Sequence, residues 1–314
     1  MRIYGIFFMA STPMFSGDEM EKQRLKDIFD EVRTHLSLSP QSPKSLLLGD
    51  WDSDLIGEGM EFEEFKEYRD GDNPRRIHAA MSSRMGKPIV VRHLEPRETR
   101  CLVVLDATPS MMVREKMEIA FAALGMIFSS AHEVHMPIGI WLLDHLKEFD
   151  MRPPVTHAHM EYVIDAICGI DSDNPYLRDR ESELNLDNWN NFLPGGSFIF
   201  VISDFFESPE NNFMQILGTG MPGYKVVPVI VQDSLEYTFP QIPSSGAEIP
   251  IVDSETGVTT RAWVDADKAS SIRKQHEERF QRINDFFERR FIYPAHTPNL
   301  NVLEIYGSLQ NALL

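Results

Sequence analysis

Four short apolar runs, separated by stretches of helical or polar character, restrict what this chain can fold into more than any other feature. They are residues 100–105, ending Cys101-Leu102-Val103-Val104-Leu105, and residues 138–143, 197–203 and 225–231. A strand with one wet face alternates apolar and polar residues, whereas a strand apolar throughout is covered on both faces, as in a parallel sheet. Between the runs, residues 112–133 carry Met117, Ala120, Phe121, Leu124, Ile127 and Phe128 at helical spacing, and residues 158–168 and 209–217 read as further helices. Strand–helix alternation predicts an α/β domain with a doubly wound, mainly parallel sheet and helices on both faces. Pro228 cannot donate to a ladder and places the last of these strands toward an edge.

The flanks have other textures. Residues 20–37 form an amphipathic helix pattern (Leu25, Ile28, Phe29, Val32) that ends at Ser39-Pro40-Gln41-Ser42-Pro43. Residues 44–98 hold short apolar segments, the turn signals Asp70-Gly71 and Asn73-Pro74, and a closing strand at 87–93. They read as an all-loop-and-hairpin extension packed on the main domain. The polar segment 171–191 has room for one more short helix. After Pro240 come a hairpin (249–253, a turn at 254–257, then 260–264) and a long helix from about Asp265. That helix is acidic at its start and carries Arg289 and Arg290 at its end, matching the helix dipole. Its stripe of Ile272, Arg279, Phe280, Ile283, Phe286 and Phe287 reads as core, and residues 303–314 form a last amphipathic helix. The expected division is 1–43, a leader and helix; 44–98, the extension; and 99–314, the main domain with its C-terminal hairpin and helices.

The chain has 314 residues, enough for a sizeable core, and its net charge of −18 speaks against a nucleic-acid partner, which needs a basic face. No stretch is long and apolar enough to span a bilayer. Arg2 followed by residues 3–10 imitates a short signal peptide, but no small-residue cleavage site follows before Asp18-Glu19; a strand-like or disordered leader, or a true start at Met20, fits better. The two cysteines, Cys101 and Cys168, lie in apolar surroundings and imply no disulfide framework, so a reducing cytoplasm is expected.

The chemistry concentrates at Asp106-Ala107-Thr108-Pro109-Ser110, directly after the first apolar run. One carboxylate and two hydroxyls at alternate positions are hard oxygen ligands suited to Mg²⁺, and the carboxyl ends of strands are where open α/β sheets bind ligands. Turn chemistry accounts for the same residue types, since Asp and Ser bond local backbone and Pro presets φ. Asp204, in Val201-Ile202-Ser203-Asp204, again ends an apolar strand with a carboxylate, and in a parallel sheet it lies on the same rim as Asp106. The histidines at 132, 135, 157 and 159 lack zincin spacing, and no Walker loop, dinucleotide fingerprint or nucleophile elbow is present. The enzymatic rival is a phosphatase or phosphotransferase of the haloacid-dehalogenase type, which uses Asp-x-Asp. Here Thr108 fills the second position, and a hydroxyl cannot act as a general acid near neutral pH.

The pattern Asp-x-(Ser/Thr)-x-Ser resembles the first loop of a metal-ion-dependent adhesion site, the cation site of von Willebrand factor A-type domains. More widely, from about residue 45 onward the chain resembles the bacterial family known as domain of unknown function 58, a von Willebrand A-like group. Gly57-Glu58-Gly59-Met60-Glu61-Phe62, the segment 66–77 from Lys66-Glu67-Tyr68 to Arg75-Arg76-Ile77, Asp106 to Met111, Ser203-Asp204 and Asp253-Ser254-Glu255-Thr256-Gly257 carry that resemblance. It implies a third ligand loop, for which Thr156 is the positional candidate, and a MoxR-type AAA+ ATPase as partner. Two departures stand out: His78-Ala79 replaces the family's Asp-Trp, and Thr108 replaces a serine while keeping the hydroxyl. The expected function is a non-enzymatic, protein-binding adaptor. Its Mg²⁺ (Mn²⁺ or Ca²⁺ as alternatives) is held by Asp106, Thr108, Ser110 and Asp204, with an acidic residue of a partner completing the coordination. A metal-dependent hydrolase at the same rim and a metal-free interaction scaffold are the alternatives.

Overall fold

The computed structural model describes residues 6–8, 17–38, 63–69, 77–93, 99–108, 110–112, 115–143, 147–169, 177–179, 193–205, 224–232, 242–243, 245–253, 259–290 and 292–313. The chain divides into two compact units, residues 51–98 and the remainder. The elements of the larger unit are β1 (Ile6–Phe8), α1 (Glu19–Leu38), β4 (Cys101–Asp106), α3 (Lys116–Glu133), β5 (Ile138–Leu143), β6 (Lys147–Met151), α4 (Met160–Ile167), β7 (Leu177–Asp179), β8 (Phe198–Ser203), β9 (Lys225–Val231), β10 (Ala247–Asp253), β11 (Thr259–Val264), α5 (Ala266–Glu288), β12 (Ala295–Thr297) and α6 (Val302–Leu313). The smaller unit holds β2 (Glu63–Glu67), α2 (Ala79–Met85) and β3 (Ile89–His93).

The main sheet runs β12-β9-β8-β4-β5-β6-β7. Its five strands β12, β9, β8, β4 and β5 are parallel, and β6 and β7 follow antiparallel at one side. The apolar runs form its centre because a parallel strand needs cover on both faces: every residue of β5 and β8 is buried, as is β4 up to Leu105. Successive side chains point to opposite faces. Leu102, Val104, Trp141, Leu143, Ile199, Val201 and Ile230 meet Ile283 and Phe287 of α5. Across the sheet, α3 packs against β4, β5, β8 and β9, and α1 and α6 in turn pack on α3. A helix apolar all round is one covered all round, which is why α3 is buried along almost its whole length. Phe29 of α1 meets Phe121 and Phe128 of α3 at ring separations of 6.1 and 5.6 Å.

Several elements differ from the sequence reading. Pro228 belongs to β9, second in the sheet rather than at its margin; the outermost strand β12 pairs with Val229–Val231, just beyond the proline. Strands β6 and β7 are additional, and β7 falls in the segment read as room for a helix. The hairpin β10–β11 is present and β1 joins it, Phe7 opposite Val252, in a separate three-stranded sheet. Residues 209–217 and 254–258 lie outside the described residues.

In the smaller unit, β2 and β3 pair antiparallel, Phe65 opposite Val91. The all-loop-and-hairpin reading missed α2, which starts where the His78-Ala79 departure stands: His78 Nδ1 accepts the Met81 N–H at 3.2 Å, so the imidazole caps the helix. Gly86 closes it in the left-handed conformation. Glycine motif residues 57–62 and residues 70–76 lie outside the described residues.

Helix α1 begins on its own cap, upstream of Met20. Asp18 Oδ1 accepts the N–H groups of Met20 and Glu21, and Glu21 Oε2 accepts Gly17 N–H at 2.6 Å. Gly17 has φ +71°, and a Cβ there would lie 2.4 Å from the carbonyl oxygen of Cys168. Both the left-handed backbone and the close approach therefore require glycine. Replacing Gly17 by Ala should lower stability by more than about 1 kcal/mol, read as a drop in the urea midpoint at unchanged slope. An unaltered midpoint would show that α1 is not docked on the Cys168 turn.

Candidate functional site

The carboxyl ends of β4 and β8 are neighbours, Leu105 pairing with Ile202, so Asp106 and Asp204 emerge side by side on one rim. The first loop is a set of local bonds. Thr108 N–H donates to Asp106 Oδ1 at 2.9 Å, an Asx-type turn, and Met111 N–H donates to the Thr108 carbonyl at 2.9 Å. The second Asp106 oxygen accepts the Ser203 hydroxyl at 2.6 Å. Ser203 Oγ in turn accepts Phe205 N–H at 2.9 Å, bracing Phe205 at φ +47°, a conformation costly for a side chain of this size. Burial of the Phe205 ring against Phe287 offsets that strain.

A row of oxygens follows. Thr108 Oγ1 lies 3.3 Å from Ser110 Oγ, and Ser110 Oγ lies 3.3 Å from Asp204 Oδ1. Full-strength hydroxyl hydrogen bonds are about 2.7–2.8 Å. Oxygens on adjacent corners of an octahedron with metal–oxygen bonds of about 2.1 Å lie about 3.0 Å apart. The 3.3 Å spacing and all-oxygen donor set are those a hard divalent cation would use, and Asp106 and Asp204 would be its charged ligands. Among the described residues, no group of three or more His, Cys, Asp or Glu side chains is placed to hold a metal ion.

Asp204 carries a second interaction that the sequence reading missed. Lys116, the first residue of α3, places Nζ 2.8 Å from Asp204 Oδ2 and 3.4 Å from the Ser110 carbonyl. The pair is sealed from water, with side-chain exposures of 0% and 1%. Two general effects oppose an ammonium here: desolvation, and the positive end of the helix dipole. Its placement therefore depends on Asp204. The signal was a lysine one turn before Ala120 and two before Ala123, on the buried face of the helix. Arg279, read as part of a core stripe, also reaches the rim and donates to the Asp204 carbonyl at 2.8 Å.

Asp106, Thr108, Ser110 and Asp204 are thus brought together, and Thr156 is not. Val155 N–H bonds to the carbonyl of Ile138 at the start of β5, whereas Asp106 pairs with Leu143 at its end. Five strand steps of about 3.3 Å separate the two rims. Strand β6 runs antiparallel to β5 and carries the chain back before Thr156 is reached. Exposed Thr156 there opens a short 3₁₀ turn and shares a 3.0 Å contact with His159 Nδ1. On that opposite rim His132 and His157 stack edge to face at 5.0 Å.

Burial, reinforced by the charge of Asp204, raises the Asp106 carboxyl from the usual 3.8 to about 6; the Ser203 and Thr108 hydrogen bonds pull the other way. Between about pH 4 and pH 6 the folded chain keeps a proton that the unfolded chain has released, so stability falls as pH rises through that window. Above it the ionised Asp106 is a net cost of about 3 kcal/mol in the metal-free chain. Asp106→Asn should raise the denaturation midpoint at pH 7.5 in chelator, with the gain fading below about pH 4. Equal midpoints at pH 7.5 would refute the charged, crowded site.

No curated protein matches the chain. Among solved structures it is similar to an aerotolerance-related membrane protein from Bacteroides fragilis NCTC 9343 carrying multiple mutations to serine. That match has 12% identity, covers 68% of this chain and 98% of the other, and has a TM-score of 0.36. Residues 64–284, more than two thirds of the chain, match the profile of one family, and they contain Asp106, Thr108, Ser110, Lys116 and Asp204. The chain belongs to the family described as protein of unknown function DUF58.

Proposed function

We propose that this chain is a non-enzymatic adaptor of von Willebrand A-like architecture, binding a partner protein through a divalent cation on the rim of its sheet. The observation that carries the reading is the row Thr108 Oγ1, Ser110 Oγ and Asp204 Oδ1 in 3.3 Å steps beside a raised Asp106 carboxyl. Two carboxylates that crowd each other are relieved by a shared cation, which inverts the local charge logic of an acidic protein. Mg²⁺ suits the small oxygen set, with Mn²⁺ or Ca²⁺ as alternatives. The open coordination position takes an acidic side chain from the partner, and the resemblance on which the partner rests makes that partner a MoxR-type AAA+ ATPase.

A hydrolase of the Asp-x-Asp type needs its second acid two residues after Asp106, and Thr108 occupies that position. A cytoplasmic location is part of the same reading, supported by two free cysteines, Cys101 buried in β4 and Cys168 half-buried at the end of α4. Among the described residues no helix is long and apolar enough to cross a membrane. The second reading, a metal-free scaffold, is favoured by one specific contact, the Lys116–Asp204 pair, which supplies the rim with a cation of its own.

Calorimetric titration should show Mg²⁺ binding by the chain and its loss in Asp106→Ala. The purified ATPase should be retained on the immobilised chain in Mg²⁺ and released by chelator. No Mg²⁺ binding would select the metal-free scaffold. Asp106-dependent turnover of p-nitrophenyl phosphate would replace the adaptor by a hydrolase.

A further inference from the structure

Helix α1 is fastened to the rest of the larger unit unevenly. Its first half is pinned: Gly17 sits against the Cys168 carbonyl, Lys22 pairs with Asp165 at 3.0 Å, Arg24 with Glu118 at 3.2 Å and Lys26 with Glu161 at 3.4 Å. Among the described residues no ion pair joins its second half, residues 27–38, to another element. That half is held by the buried stripe Ile28, Phe29, Val32 and Leu36. Phe29 fits over Gly125 of α3, where a Cβ would lie 3.2 Å from its ring, and it also meets His157 edge to face at 5.9 Å. His157 thus brings a titratable ring into an apolar contact. It lies 4.9 Å from Phe128 and 5.0 Å from His132, both of α3. Its Nδ1 is buried and has no hydrogen-bond partner. A neutral imidazole can keep its proton on Nε2, whereas the cation carries N–H on both nitrogens and buries a donor with nothing to accept it. The turn that carries His157 is itself fixed, by Val155 N–H on the Ile138 carbonyl at 2.8 Å and by the reciprocal cap of Thr156 and His159. The element that yields is the second half of α1.

We propose that His157 makes the second half of α1 an acid-released cover of α3: protonation of the imidazole undocks residues 27–38, while the pinned first half stays in place. The charged and titratable groups about the ring are Asp30 and Arg33 of α1 and His132 of α3. Burial holds the His157 imidazole below its ordinary 6.5; the charges of His132 and Arg33 act the same way, and Asp30 opposes them. The docked chain therefore binds fewer protons than the opened one. Docking is at full strength above about pH 6.5 and weakens as pH falls below it. What opens is one side of α3, a helix that buries apolar residues along almost its whole length.

Amide hydrogen exchange on the full chain at pH 7.5 and pH 5.0 tests this, with the protection factors of residues 27–38 read against those of α6. In the wild type that relative protection should fall several-fold at the lower pH, up to the roughly thirtyfold that one imidazole titrating near 6.5 allows. Residues 23–26 should change little. H157F, which keeps a ring without a titrating nitrogen, should hold its protection at pH 5.0. Should H157F fold poorly, H157Q takes its place with the same expected result. Protection of residues 27–38 that is the same at both pH values overturns the proposal, as does a loss shared equally by α6. A loss in the non-titrating variant as large as in the wild type overturns it too.

Discussion

One ion pair, Lys116 to Asp204, fastens the central helix to the end of the central strand, and the rim depends on it. Helix α3 packs against four strands of the sheet and carries α1 and α6 on its outer side. Its first residue is held by a carboxylate at 2.8 Å with both groups out of water. Breaking such a pair by removing one partner leaves a bare buried charge, typically at a cost of about 3–5 kcal/mol. The contact therefore sets where α3 begins, and with it the path of the loop carrying Thr108 and Ser110.

The rim sets two carboxylates side by side, Asp204 buried and Asp106 half-buried. Asp106 is held by hydrogen bonds from Thr108 and Ser203, yet its carboxyl still rises, because burial and the neighbouring carboxylate outweigh those bonds. Turn chemistry and ligand chemistry thus coexist in one loop. The Asx turn fixes Asp106, and the two hydroxyls that follow lead to Asp204 in 3.3 Å steps.

The parallel strands were legible in the sequence because strands covered on both faces must be apolar along their length, and such runs are hard to mistake. The convergence of Asp106 and Asp204 was legible for the same reason: parallel strands share a rim. What escaped notice had weaker signals. Glu148-Phe149-Asp150-Met151 alternates polar and apolar residues, the mark of a strand with one wet face, but four residues offer little contrast. Missing β6 put Thr156 on the wrong rim, since its antiparallel course reverses the chain. Lys116 escaped because a lysine in a helix usually reads as a solvated side chain, and only tertiary packing shows that this one is enclosed. Arg279 was hidden in the same way within an apolar stripe.

Asp204 is gripped from both faces of the sheet. Its carboxylate is held by α3, on one side, and its carbonyl by Arg279 of α5, on the other. The chain reaches α5 straight from β11, through the capping residue Asp265. A shift of the three-stranded sheet at β11 therefore has a continuous route to the peptide that aims Asp204, along α5 and then through Arg279 and the Phe287–Phe205 contact. The rim is the place where helices on the two faces of the sheet hold the same residue.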